Sequence, residues 1–408
     1  MVNRDLERDS TIMILSTLLT NFFNYLYQVS MGRLLSPGDY GILYSLLSLL
    51  YIISVGGGAI QTSIARYTSK LKVHGKQGEI RYLWEFFTSK TILLGVASFL
   101  LLVLFSNPIS QFLNIDNEFY FISLAFFFIF GFTVSVNWGM LIGLQKFLAF
   151  GSANALWAFL KLILGILLIL LGWGVYGGLL SLSIANIIVL VITFLFIRSF
   201  LKSKPKKFEL GGIYSYSSLA LLAAFSFTTM TYVDVILAKH YLTPELAGQF
   251  SALSVLGKII FFVPGGIALA MFPKTSEDFE RNGRHRSILL KALFYTALIA
   301  GSVTLLYLFF PSLIEWVMFG GKYLTIVPYM FEYGAAMFFF SIASLLVTYA
   351  LSVHKTRIAY VAFLALFVEV LLLSIFHSGI AEISRSMLIS GAITTFLILL
   401  YLKIGCEK

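Results

Sequence analysis

The sequence has a single cysteine, and charged residues occupy only 12% of its 408 positions. One cysteine, Cys406, excludes an intramolecular disulfide and any two-cysteine redox motif. So few charges beside 59% hydrophobic residues exclude a soluble globular protein, because such a chain could not hide its apolar surface from water. Metal-ligand spacing, a nucleophile elbow and a phosphate-binding glycine loop are also missing. The sequence therefore predicts a membrane protein that is not an enzyme and holds no cofactor.

What the sequence has instead is a series of long apolar stretches. A helix needs about 20 apolar residues to cross a bilayer. We predict twelve such spans, at 10–31, 40–64, 86–106, 118–144, 147–171, 174–197, 213–238, 247–272, 288–310, 325–352, 358–377 and 386–403. Backbone polar groups in hydrocarbon must be satisfied within each segment, and no alternating pattern of a barrel is present. The predicted fold class is an all-α polytopic membrane protein.

Basic residues are distributed unevenly around these spans. Of the 29 Lys and Arg residues, 22 lie in the two tails and in the loops after spans 2, 4, 6, 8 and 10. Four lie on the opposite side: Arg33, Lys239, Lys322 and Arg385. The positive-inside rule then predicts that both termini are cytoplasmic. The net charge of +10 suits loops that face anionic lipid, so we expect a multi-pass plasma-membrane protein that binds no nucleic acid.

A 36-residue stretch that starts at Leu34 matches another that starts at Tyr241, 207 positions later, without a gap. Apolar matches arise easily in so hydrophobic a chain, so the inference depends on paired proline and glycine positions. These pairs are Pro37 with Pro244, Gly41 with Gly248, and Gly58 with Gly265. Two similar halves in a membrane chain usually enclose a substrate site at their interface. Transport is therefore the first functional hypothesis.

A basic linker at 198–212, which contains Pro205, separates the sixth and seventh predicted spans. It divides the chain into two pseudo-symmetric six-helix lobes, predicted at 1–205 and 206–408. Because six is an even number, each lobe begins and ends on the cytoplasmic side, and the two repeats are parallel. The sequence does not determine the oligomeric state, and we expect a monomer.

The first predicted helix has a polar face. Four polar residues lie on this face at spacings of four, three and four positions: Thr17, Asn21, Asn24 and Gln28. The same register in the seventh predicted helix includes Thr228, Thr231 and Tyr232, with Tyr232 aligned to Tyr25. Such residues either join helices through hydrogen bonds or line a wet cavity. Buried amides need several partners each, which favours the cavity for the two asparagines and the glutamine.

Five ionisable residues fall inside predicted spans, where charges are costly and usually functional. They are Lys161, Lys258, Asp234, Glu332 and Glu369. Two hypotheses remain open for them: a set of internal ion pairs that hold the bundle together, or groups that face a substrate cavity. Lys90 lies near the cytoplasmic end of its span, so its ammonium is expected to reach the headgroups.

Two segments suggest a family. The first is GRLLSPGDYGILYSLLSLL, followed by ARYTSK, and the second is DVILAKHYLTPELAGQFSALSVLGKIIFFVPGGIALAMFP. They resemble polysaccharide-biosynthesis flippases of the Wzx or oligosaccharide-flippase kind, in the multidrug/oligosaccharidyl-lipid/polysaccharide exporter superfamily. The resemblance implies a V-shaped pair of lobes whose helices 1, 2, 7 and 8 line a central cavity. It also implies movement of lipid-linked sugars to the outer leaflet by alternating access.

The resemblance gives the candidate residues expected roles. Lys258, with Lys161, would offer charge to the phosphate or diphosphate of a polyprenyl carrier, while Arg33 and Arg66 would lie at the two mouths of the cavity. Lys258 is expected to matter most, then Lys161, and Lys90 least. The amides of helix 1 would bind sugar hydroxyls, and Tyr25 and Tyr232 would stack on sugar rings.

Two other functions compete with the flippase. A cation-coupled multidrug antiporter of the same superfamily would use Asp234, Glu332 or Glu369 to exchange an ion for the drug, because a partly buried carboxylate can take up a proton or Na⁺. A membrane scaffold is the third hypothesis, and it gives no reason for paired lobes. The sequence does not distinguish H⁺, Na⁺ and membrane potential as the driving force.

Overall fold

A computed structural model describes residues 2–208, 217–281, 283 and 285–404, with side chains at 11–208, 218–281, 283 and 285–403. Every regular element in these ranges is helical, and no strand occurs in them. Cys406 and the end of the linker at 209–212 lie outside the described residues. The prediction of an all-α chain is therefore confirmed for the part that the structure describes.

Seventeen α-helices follow one another along the described chain. They are α1 (Val2–Leu34), α2 (Pro37–Ile53), α3 (Val55–Val73), α4 (Gln77–Leu104), α5 (Ser106–Phe112), α6 (Phe119–Gly143), α7 (Phe147–Leu168), α8 (Gly174–Ile197), α9 (Ser217–Met230), α10 (Val233–Tyr241), α11 (Pro244–Phe262), α12 (Gly265–Glu280), α13 (His285–Phe309), α14 (Pro311–Phe319), α15 (Met330–Ser352), α16 (Ile358–Ile375) and α17 (Ile380–Ile404). Short 3₁₀ and π turns link some of them, and Gly172 and Gly174, both with positive φ, form the turn before α8.

Ten stretches of the described residues are long and apolar enough to cross a membrane. One of them, Phe147–Leu201, contains two of the twelve predicted spans, 147–171 and 174–197. The first predicted span, 10–31, lies within α1, which is helical but is not among the ten. Its asparagines and glutamine lower its hydropathy. The total of twelve therefore stays a prediction.

The repeat seen in the sequence starts two helices in the same way. Pro37 and Pro244 occupy the first position of α2 and α11, where the missing N–H of proline costs nothing. The preceding hydroxyl residue caps each helix: Ser36 Oγ accepts from the Asp39 N–H at 3.1 Å, and Thr243 Oγ1 accepts from the Leu246 N–H at 3.4 Å. A similar sequence thus produces the same local structure twice.

Three predicted spans are interrupted in the structure. The span 40–64 breaks at Ser54 between α2 and α3, and the span 247–272 breaks at Pro264 between α11 and α12. The span 213–238 breaks at Tyr232, whose φ of −132° leaves the helix before α10 begins. Broken helices free backbone groups near the break, and these groups must find partners or line a site.

The helices form two compact units. The first comprises Met1–Asp39 and Ile53–Ile213, and the second comprises Tyr40–Ile52 and Tyr214–Lys408. Each has its own apolar core, built in the first unit around Leu83 and Met140 and in the second around Leu346 and Ala359. The predicted lobes at 1–205 and 206–408 stay a prediction.

Cysteine labelling tests the predicted orientation. In a Cys406→Ser background, Lys204→Cys should react with a membrane-impermeant maleimide only after cells are permeabilised, because the linker is expected to be cytoplasmic. Lys322→Cys, on the predicted outer side, is the matched control and should react in intact cells. Both lysines are exposed. Labelling of Lys204→Cys in intact cells would overturn the predicted topology.

Candidate functional site

A buried polar cluster lies in the second unit, around Asp234 in the first turn of α10. The Asp234 carboxylate is completely buried. Its Oδ2 atom accepts hydrogen bonds from the Tyr333 hydroxyl at 2.5 Å and the Ser254 hydroxyl at 3.4 Å. The break at Tyr232 places Asp234 near the N-terminus of α10, where the helix dipole favours a negative charge.

Lys258 of α11 is the cation of this cluster. Its Nζ atom lies 4.0 Å from Asp234 Oδ1 and 3.2 Å from the Tyr44 hydroxyl oxygen, to which it donates. The same ammonium lies 4.2 Å from the centre of the Tyr232 ring and 4.9 Å from that of Tyr44. With a side chain almost fully buried, Lys258 therefore has a carboxylate, a hydroxyl and two aromatic faces around it.

Glu369 of α16 is another buried carboxylate of the second unit. Ser390 donates to its Oε2 atom at 3.5 Å, while Oε1 has no hydrogen-bond partner among the described residues. Glu369 also interacts electrostatically with Asp234 and Lys258. Two carboxyl groups and one ammonium thus share one buried region, which leaves one acid without a matching cation when all three are ionised. We call Asp234, Lys258 and Glu369 the acidic triad.

A different buried cation, Lys161 of α7, lies in the first unit. It is 1% exposed, and its Nζ atom donates to Asn24 Oδ1 at 2.5 Å. The ammonium lies 4.6 Å from the centre of the Tyr27 ring and 4.8 Å from that of Trp157. Tyr27 is held in place because its hydroxyl donates to the Gly178 carbonyl oxygen at 2.9 Å. We call Lys161, Asn24, Tyr27 and Trp157 the lysine cage.

The remaining predicted residues have varied surroundings. Asn21 is exposed, and Tyr25 and Gln28 are half-buried. The Thr231 hydroxyl donates to the Phe227 and Thr228 carbonyl oxygens in the last turn of α9. It therefore provides a hydrogen-bond donor to backbone acceptors at the end of that helix.

Glu332 forms a partly exposed ion pair with Arg385 at 3.3 Å, apart from the triad. Lys90, Arg33 and Arg66 are exposed.

Sequence reasoning missed several partners in both groups. Tyr333 and Tyr44 contact the acidic triad, and Tyr27 and Trp157 surround Lys161. The hydrogen bond from Lys258 to Tyr44 joins residues 214 positions apart, a separation that helical periodicity cannot detect. Only Ser254 carried a signal, because it lies one turn before Lys258 on a face of small and polar residues.

Solved structures share this fold at low sequence identity. A multidrug resistance MATE family transporter of the MOP superfamily, in an inward-facing conformation, has a TM-score of 0.83 and 11% identity, over 95% of this chain and 94% of that one. The lipid II flippase MurJ, in an inward closed conformation, has a TM-score of 0.71 and 16% identity, over 96% and 87%.

A third structure comes from Pyrococcus furiosus, a MOP superfamily transporter described as having a binding pocket of reverse polarity. Its TM-score is 0.64 at 12% identity, over 98% of this chain and 95% of that one. No curated protein sequence matches the chain.

The apolar helices define a multi-pass membrane protein, and its fold is the one found in the MATE family transporter and in the lipid II flippase MurJ. Residues 30–328 match the family described as polysaccharide biosynthesis protein, and the chain belongs to that family. The family resemblance expected from the sequence is confirmed.

Proposed function

We propose that this protein flips a lipid-linked oligosaccharide, on a polyprenyl phosphate or diphosphate carrier, from the cytoplasmic to the outer leaflet by alternating access. The product would serve the synthesis of a surface polysaccharide or glycan at the plasma membrane. The observation that carries the proposal is the family match over residues 30–328. The likeness of the fold to a lipid II flippase supports it.

The chemistry of the two buried groups also supports a substrate with both polar and charged parts. Amide and aromatic side chains such as Asn24 and Trp157 can bind sugar hydroxyls and stack on sugar rings. Buried ammonium groups suit a phosphate, because lysine meets phosphate as a point charge. A lipid tail would stay in the bilayer, so the protein would need to enclose only the headgroup.

The acidic triad is the proposed place of ion coupling. When all three are ionised, Asp234 and Glu369 carry one more negative charge than Lys258 neutralises. One of the two carboxyl groups would therefore take up H⁺ or Na⁺. The membrane potential would act on the net charge moved with the substrate. Glu332 is a weaker coupling candidate because it pairs with Arg385 at a partly exposed position.

A flippase assay tests the proposal directly. The purified protein, reconstituted into proteoliposomes that contain a fluorescent lipid-linked oligosaccharide, should make the inner-leaflet pool accessible to an impermeant glycan-cleaving enzyme. Protein-free liposomes and liposomes with the Glu369→Gln variant, which keeps the ion pair between Asp234 and Lys258, are the controls, and both should leave that pool protected.

The same liposomes distinguish the second candidate function, a cation-coupled multidrug antiporter. The buried carboxyl groups of the acidic triad favour that function, since they can exchange an ion for a cationic drug. Uptake of a fluorescent cation against an imposed H⁺ or Na⁺ gradient, with no flipping of the oligosaccharide, would overturn the flippase and support the antiporter.

A further inference from the structure

Two of the buried lysines, Lys258 and Lys161, differ in their counter-charges. Lys258 lies 4.0 Å from the Asp234 carboxylate. Lys161 is equally buried, yet no carboxylate lies within 4.0 Å of it among the described residues. Its only hydrogen-bond partner there is the neutral Asn24 amide, and its other neighbours are two aromatic rings. A buried ammonium without an opposite charge is costly, so an anion would stabilise it strongly.

One donor beside Lys161 lacks an acceptor. The Trp157 indole N–H is buried and has no acceptor in the part of the chain that the structure describes. Trp can only donate, and an ammonium can only donate. An unsatisfied donor beside a buried ammonium that has no carboxylate partner favours a ligand made of acceptor oxygens.

The cage is held in shape by close packing. Gly165 lies one turn after Lys161 on α7, and a Cβ atom there would meet the Tyr27 ring at 2.9 Å and Met31 at 3.2 Å. The missing side chain lets α1 approach α7 closely enough for the Tyr27 ring to face the ammonium. The Tyr27 hydroxyl bond to Gly178 fixes the far end of that ring. The site is therefore preorganised rather than assembled from flexible surface groups.

We propose that the lysine cage, not the acidic triad, binds the phosphate or diphosphate of the lipid carrier. This inference rests on the proposed flippase function and locates its anionic headgroup in the first unit. Lys161 exchanges the Asn24 oxygen for phosphate oxygens, and the Trp157 indole N–H donates to another of them. Asn24 is half-buried and Asn21, one turn earlier, is exposed, so the ligand enters from their side. Lys161 is then expected to contribute more to substrate binding than Lys258, the reverse of the order expected from the sequence.

Binding measurements on the full-length protein in nanodiscs test the site. The probe is a fluorescent polyprenyl-phosphate oligosaccharide, and polyprenyl phosphate without sugar is the competitor. Lys161→Gln should weaken probe binding by about tenfold or more, the loss of one charge-assisted contact, and Lys161→Arg should keep part of the affinity. Lys90→Gln, at an exposed lysine, is the matched control and should bind as the wild type does. A neutral polyprenol-linked oligosaccharide should bind the wild type and Lys161→Gln equally.

Each alternative has its own outcome. If Lys161→Gln weakens the neutral and phosphorylated probes alike, the lysine is structural and the phosphate site is wrong. If polyprenyl phosphate fails to compete in the wild type, the cage binds an acidic sugar rather than the carrier, which also overturns the proposal. If the wild type flips the oligosaccharide and Lys161→Gln binds it normally, the assignment of the phosphate to the lysine cage is wrong, while the flippase function stands. If the wild type neither binds nor flips the probe, the flippase function itself fails.

Discussion

Replacing Asp234 with alanine should destabilise the protein by about 3–5 kcal/mol, since the change leaves a buried ammonium without its carboxylate. The Tyr333 and Ser254 hydroxyl groups would lose their acceptor as well. Unfolding of the purified variant in mixed micelles measures the free energy. The second change Lys258→Met, in an Asp234→Ala background, should recover most of the loss, because it removes the stranded charge and fills the space.

Glu332→Ala is the matched control for this pair. Glu332 also forms an ion pair, with Arg385, but its side chain is 26% exposed and that of the arginine 66%. An exposed pair contributes only about 0–1 kcal/mol. An effect of Asp234→Ala as small as that of Glu332→Ala would mean that the acidic triad does not stabilise the fold. Failure of Lys258→Met to restore stability would mean that the two side chains are not coupled.

The second large effect is expected at Gly41, one of the glycines paired by the repeat. A Cβ atom at this position would lie 2.9 Å from the Gly248 nitrogen and 3.1 Å from its Cα atom. These are backbone atoms, which cannot move aside by changing rotamer. Gly41→Ala should therefore cost about 1–3 kcal/mol of stability, and Gly41→Leu should give little folded protein. Yield and thermal unfolding of the purified variants measure both.

Gly58 provides the control for Gly41. It belongs to the same repeat and is also helical, but a Cβ atom there would meet nothing within 4 Å. Gly58→Ala should be neutral or should stabilise α3 by up to about 1 kcal/mol, the intrinsic preference of alanine over glycine in a helix. Equal losses from Gly41→Ala and Gly58→Ala would show that close contact at Gly41 is not the cause.

The predicted spans match the observed helices well where the apolar stretch is uninterrupted, as in α6 and α13. The starts of α2 and α11 carry a local signal, a hydroxyl residue followed by proline, yet the predicted spans began three residues later, at 40 and 247. The breaks at Ser54 and Tyr232 were missed, since neither position carries a proline and the apolar pattern continues across both. Pro264 did carry a signal, yet its span was predicted as continuous.

The candidate site was less predictable than the fold. Their positions within predicted spans made Lys161, Lys258, Asp234, Glu332 and Glu369 candidates from the sequence. Which of them pair depends on how distant helices pack, and that information lies in contacts such as the one between Tyr333 and Asp234, 99 residues apart. One ammonium therefore has a carboxylate and the other has an amide and two rings, a difference that no spacing in the sequence reveals.

The second unit is not one continuous piece of chain, and this has a practical consequence for dissecting the protein. Tyr40–Ile52 belongs to it, although the rest of that unit begins only at Tyr214. A fragment that starts after the linker would therefore lack Tyr44, and Lys258 would lose a hydroxyl acceptor and one aromatic face. A split protein cut at the linker should therefore be co-expressed as two complementary halves, because the N-terminal half carries Gly41 and Tyr44, which contact Gly248 and Lys258 of its counterpart.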